Sequence, residues 1–129
     1  MGGMATDVIV DIEGVQVLVC APEGAPLSGE NDATDLVGSA LYLGAECVAI
    51  PVERLDDAFF DLRTGFAGAV AQKFVNYRLR LAIVGNVATY VSKSDALRDF
   101  VTETNRGKQL WFLPTLDDLN ARLQGRSPF

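Results

Sequence analysis

Four short apolar runs recur along the chain, at Val15–Cys20, Cys47–Val52, Leu79–Val84 and Gln109–Leu113. They are rich in β-branched, aliphatic and aromatic residues, and each gap between runs holds a segment of helical periodicity. This alternation is the tightest constraint on the fold. Parallel neighbours in a sheet need a crossover of roughly a dozen residues or more, usually helical, whereas antiparallel neighbours need only a turn. The four runs are therefore expected as the parallel core of an α/β sheet, joined by right-handed crossovers.

Ahead of this pattern stands Val8-Ile9-Val10-Asp11-Ile12, separated from Val15 by Glu13-Gly14. Two β-branched runs around a two-residue turn predict a β-hairpin, so the five-stranded sheet becomes mixed, though mostly parallel. About four helices are expected. The first starts near Asn31 or Asp32, carries Ala33, Leu36, Val37, Ala40 and Leu41, and stops at Gly44. Asp56–Asp61 reads as a short helical turn. The second principal helix begins between Leu62 and Gly65 and reaches about Tyr77, with Thr64 as its cap and Phe66, Val70, Phe74 and Tyr77 as its stripe. The third spans Ser94–Asn105, with Leu97, Phe100 and Val101 inward. The last is capped by Thr115 and buries Leu116, Leu119 and Leu123. Residues 7–124 form one domain in this reading, and 1–6 and 125–129 are flexible ends.

Charge and composition exclude several functions. Eleven basic against 17 acidic residues leave a net charge of −6, which repels a phosphate backbone and argues against general nucleic-acid binding. No apolar run approaches membrane-spanning length, and the N-terminus has neither the basic region nor the apolar core of a signal peptide. The expected location is the cytoplasm. Cys20 and Cys47 lie in strand-like runs and are expected as buried free thiols. With no histidine and no paired cysteine motif, a zinc site is not expected and a histidine-based triad is excluded. No phosphate loop or dinucleotide fingerprint follows any strand, and no cofactor is expected.

The candidate functional residues lie beyond the Cys47–Val52 run and along the helix after it. Glu53, Asp56, Asp57 and Asp61 cluster beyond a strand end, where open α/β sheets bind ligands. Glu53 and Asp61, near Arg63, would be the paired carboxylates of an enzyme. A solvated lip with a helix cap is the plainer explanation. Thr64 before Gly65 would place a hydroxyl among free helix N–H groups, as a cap or as a phosphoacceptor. Gly65 and Gly68 suggest close approach of helix to sheet, and Gly65 alternatively an anion-receptive helix start. Lys73, Asn76, Tyr77 and Arg78 form the densest mixture of polar and aromatic groups, with Arg78 and Arg80 expected on one side of an extended strand entry. Arg106 and Lys108 enlarge that basic patch.

Phe60-Asp61-Leu62-Arg63-Thr64-Gly65, Gln72-Lys73-Phe74-Val75-Asn76-Tyr77-Arg78, Leu81-Ala82-Ile83-Val84-Gly85, Ala96–Val101 and Glu103–Gly107 resemble the bacterial family called domain of unknown function 4180. The likeness runs from about Asp7 to Leu123. That family has no assigned activity, so the resemblance implies no catalytic residues. The element order is also similar to the sulfate transporter and anti-sigma antagonist domain, a regulatory fold with a phosphorylatable serine before a glycine at a helix start. That resemblance puts Thr64 at the phosphoacceptor position, although one extra residue separates Asp61 from Gly65 and threonine replaces serine. The expectation is a non-catalytic regulatory module that binds an unidentified protein partner. The alternatives are a small-molecule or anion-binding enzyme using carboxylates near Glu53 and Asp61, and a structural self-associating protein, a homodimer through the opening strand.

Overall fold

A computed structural model describes residues 7–125. The expectation of flexible ends falls on residues that, apart from Gly125, lie outside this range. The chain opens with β1 (Val8–Ile12) and β2 (Val15–Val19), followed by α1 (Glu30–Tyr42) and β3 (Cys47–Pro51). Next come α2 (Asp57–Phe60), α3 (Phe66–Asn76) and β4 (Arg80–Val84), then α4 (Ala88–Ser92), α5 (Asp95–Arg106), β5 (Leu110–Leu113) and α6 (Leu116–Gly125). Among the described residues there are thus six α-helices, two more than the periodicity suggests. Of these, α2 is the short helical turn expected within Asp56–Asp61, and α4 is too short to show a periodic stripe.

The strands lie in the order β1-β2-β3-β4-β5. β1 and β2 pair antiparallel, closing on Ile12 and Val15, and Glu13 and Gly14 both take positive φ in the turn (52° and 83°). That geometry matches the right-handed twist of the hairpin strands. β2 through β5 are parallel. Pro51 ends β3, where its missing N–H costs no interior ladder bond.

Sequential parallel order has a consequence for layering. Crossovers of one hand between adjacent strands all pass over the same face. Leu18, Val48, Ile50, Leu81, Ile83 and Phe112 accordingly pack beneath α1, α3 and α5 in one large core. The opposite face, with Val17, Cys47, Ala49, Ala82, Trp111 and Leu113, is packed by Leu119 and Leu123 of α6. Leu116 departs from the expected stripe and is 41% exposed, because it is the first residue of α6, where the helix has only begun to cross the sheet. Leu41 is exposed as well.

The second principal helix starts later than expected. A 3₁₀ turn over Leu62–Thr64 comes first, and Gly65 at φ 76° turns the chain into α3 at Phe66. The other end of α3 also differs. Arg78 is not in an extended strand entry but at φ 58°. Its N–H donates to Val75 O at 3.0 Å and that of Leu79 to Phe74 O at 2.9 Å, with Leu79 and Phe74 both buried. This is a Schellman stop, with arginine in the position that favours glycine. Gly65 and Gly68 do not serve close packing, since a Cβ at either would meet nothing within 4 Å. Gly65 is required for its backbone angle.

Candidate functional site

At the C-terminal end of β3 the chain forms a lip from Val52 to Gly65. Asp56 caps α2, accepting from Ala58 N–H at 3.1 Å. Asp61 caps the 3₁₀ turn, accepting from Arg63 N–H at 3.1 Å. It also receives both Nε and Nη2 of Arg63, at 3.0 and 2.9 Å. These bonds to Arg63 hold the Asp61 carboxyl below its ordinary value. Arg63 is nevertheless 90% exposed, so the pair sits in solvent.

Thr64 is exposed, and its hydroxyl is already engaged. Oγ1 lies 2.8 Å from the carbonyl oxygens of both Ala58 and Asp61, and it accepts from Phe66 N–H at 3.1 Å. The side chain ties the end of α2, the 3₁₀ turn and the start of α3 together. It shares the capping duty with Gly65 rather than acting as sole cap. At the start of α3, Ala69 N–H already donates to Gly65 O.

Beside this turn lies a cavity of about 560 Å³ lined by Asp57, Phe60, Asp61, Arg63, Tyr90 and Lys93, among others. Tyr90 comes from α4, an element the apolar periodicity does not reveal. Its ring stacks on Phe60 with centroids 4.0 Å apart and planes 12° from parallel. Its hydroxyl donates to Asp57 Oδ1 at 3.0 Å, which pushes the phenol above its ordinary range. Tyr90 and Lys93 are functional candidates missed in the sequence. A tyrosine followed three residues later by a lysine, between a strand-ending glycine and a capped helix, was the available signal.

Glu53 and Asp61 are not brought together. Glu53 is exposed and lines a different, largely apolar cavity of about 450 Å³, with Val8, Val19, Pro51, Val84 and Leu116. The two carboxylates thus occupy separate surroundings and share no cavity. Arg54, which the sequence reading passed over, is buried instead. Its guanidinium bonds Asp7 Oδ1 at 2.8 Å, Ala25 O at 2.9 Å and Ala21 O at 3.2 Å. It anchors the loop before α1 to the end of β3.

Lys73, Asn76, Tyr77 and Arg78 gather at the far end of α3, away from this lip. Asn76 accepts from Gln72 Nε2 at 2.9 Å, Tyr77 is exposed, and Arg78 makes the helix stop. Cys20 and Cys47 are buried free thiols, as expected. Burial drives both up to about 12. Among the described residues no group of three or more cysteine or acidic side chains is placed to hold a metal ion. Among the described residues no helix is long and apolar enough to cross a membrane.

No curated protein and no solved structure matches the chain. A family model does, over residues 12–123, which takes in the parallel strands β2 to β5 and the lip together. The chain belongs to the family described as domain of unknown function (DUF4180).

Proposed function

We propose that this protein is a non-catalytic regulatory module of the bacterial cytoplasm that binds a protein partner through the lip around Thr64. The observation carrying this reading is the position of Thr64: an exposed residue two residues before the start of α3, next to an almost fully exposed Arg63. The order of elements, similar to that of the sulfate transporter and anti-sigma antagonist domain, supports it. The separation of Glu53 from Asp61 removes the carboxylate pair on which the enzymatic alternative rests. Two buried free thiols suit a reducing compartment.

Modification of Thr64 would act by remodelling. A phosphate ester cannot donate to the Ala58 and Asp61 carbonyls, and its charge would lie beside the Asp61 carboxylate. It would draw Arg63 off Asp61 and loosen the join between α2 and α3. The test is recovery of partners from native lysate by wild type, Thr64→Glu and Thr64→Ser. Thr64→Glu is expected to change the recovered set while the circular dichroism spectrum stays native, and Thr64→Ser to behave as wild type. Identical recovery by all three would sink the reading.

One observation favours a second reading, self-association. β1 is an edge strand, and Val8 and Val10 on it are 46% and 40% exposed. Light scattering across a concentration series decides it, since a monomer at every concentration removes it.

A further inference from the structure

Four cations from four segments converge where the N-terminal ends of β4 and β5 meet the last turns of α6. Arg80 opens β4, Arg106 ends α5, Lys108 follows in the loop, and Arg122 comes from α6. With Trp111 they line a cavity of about 560 Å³ whose wall, among the described residues, holds no carboxylate. Trp111 forms the floor. Its indole N–H donates to Gly107 O at 2.8 Å, and the Arg122 guanidinium lies 5.3 Å from the ring centroid. Arg80 projects from the same sheet face, two residues before Ala82, the register partner of Trp111.

Helix-end electrostatics accounts for part of this arrangement. Arg106 and Arg122 occupy the last turns of their helices, where cations are favoured. It does not account for Arg80, half-buried on a strand, or for Lys108 in a loop. Arg106 has Glu103 at 3.5 Å. Among the described residues Arg80, Lys108 and Arg122 make no ion pair. A chain of net charge −6 thus places four of its 11 basic residues around one cavity, three of them without an ion pair among the described residues. Their mutual repulsion is relieved by an anion.

We propose that this cavity binds a small polyanion through a pair of linked phosphoryl groups, the chemistry of pyrophosphate and of nucleoside diphosphates. Three guanidinium forks and an ammonium match a compact group of three or four negative charges, and guanidinium forks engage phosphoryl oxygens two at a time. The volume lies within the range of roughly 300–1,000 Å³ found for small-molecule sites. A polynucleotide fits poorly, because the cations are confined to one recess on an acidic chain. The site is independent of the lip around Thr64 and lies at the opposite end of the strands.

Trp111 is the only tryptophan, so its fluorescence reports on the site directly. Pyrophosphate, citrate and a short single-stranded RNA are titrated into the full chain at constant ionic strength, with calorimetry in parallel. Saturable binding of pyrophosphate, stronger than that of citrate, is expected. Arg80→Gln and Lys108→Gln should each weaken it at least tenfold with the thermal unfolding transition retained; Lys108 is exposed, so its variant keeps the test valid if Arg80→Gln unfolds. Three results overturn the proposal: no saturation by pyrophosphate, equal or tighter binding of citrate, and tighter binding of the RNA that pyrophosphate does not displace.

Discussion

The Arg54 guanidinium donates from Nη1 to Asp7 Oδ1 at 2.8 Å, with the two side chains 10% and 29% exposed. The contact closes a loop of 47 residues, and the same guanidinium also serves the carbonyls of Ala21 and Ala25. Removing it strands those acceptors together with a partly buried carboxylate. Arg54→Ala is expected to destabilise the fold by about 2–4 kcal/mol in urea denaturation. Arg54→Lys should recover less than half of that, because one ammonium cannot reproduce the planar fork.

Gly24 packs directly against this arginine. A Cβ at position 24 would lie 2.5 Å from Arg54 Cζ, so Gly24→Ala must displace the guanidinium. The expected cost is about 1–3 kcal/mol. In the Arg54→Ala background the same substitution should cost much less, and a double-mutant cycle measures the difference. Additive losses would show that the guanidinium is not what Gly24 accommodates.

Arg78 provides the opposite case. It holds φ 58° at the stop of α3, in a conformation that disfavours a Cβ. Arg78→Gly is expected to raise the unfolding free energy by about 1 kcal/mol, read as a higher urea midpoint at constant slope. A lower midpoint would mean that the arginine side chain contributes more than the backbone strain it imposes.

The Asp61–Arg63 pair sets a pH dependence. Hydrogen bonds from Arg63 lower the folded-state value of Asp61 below the unfolded value of about 3.8. The group therefore contributes stability that is fully present above the unfolded value and is lost as pH falls through the folded one. In Arg63→Ala the Asp61 carboxyl should titrate higher, while the retained backbone N–H of residue 63 still holds it down in part, as followed by its carbon chemical shift. An unchanged midpoint would show that the guanidinium does not hold this carboxylate in solution.

The two thiols should be inert in the native state. Burial raises both Cys20 and Cys47 to about 12, so almost no thiolate exists at pH 8. A thiol-specific disulfide reagent is expected to modify neither within minutes under native conditions and both once the chain is unfolded in guanidinium. Rapid native labelling of one thiol would mark a local opening of its strand.

The amino-acid sequence alone determined the layer architecture. Short apolar runs spaced by helical periods leave only a mostly parallel sheet, and Glu13-Gly14 leaves only a hairpin at its start. Gly44 marks an end that follows from local backbone preference, and it appears where it was expected, at φ 79° just after α1. These features rest on interactions within a few residues, which a linear reading captures.

Tertiary structure decided what local preference does not encode. Nothing near Arg54 in the chain signals burial, because its partners Asp7, Ala21 and Ala25 arrive from a distant loop. The hydroxyl of Thr64 is an available group in sequence and becomes a tie only when the carbonyls of Ala58 and Asp61 turn toward it. Tyr90 joins the lip because α4, too short to show a period, stacks it on Phe60. Glu53 and Asp61 are close in sequence yet line separate cavities, since the intervening turns send them to different surroundings. Arg80, Arg106, Lys108 and Arg122 belong to four segments, and only the packing of α6 across β5 assembles them around Trp111. In each case the deciding interaction joins groups that the fold, not the order of residues, makes neighbours.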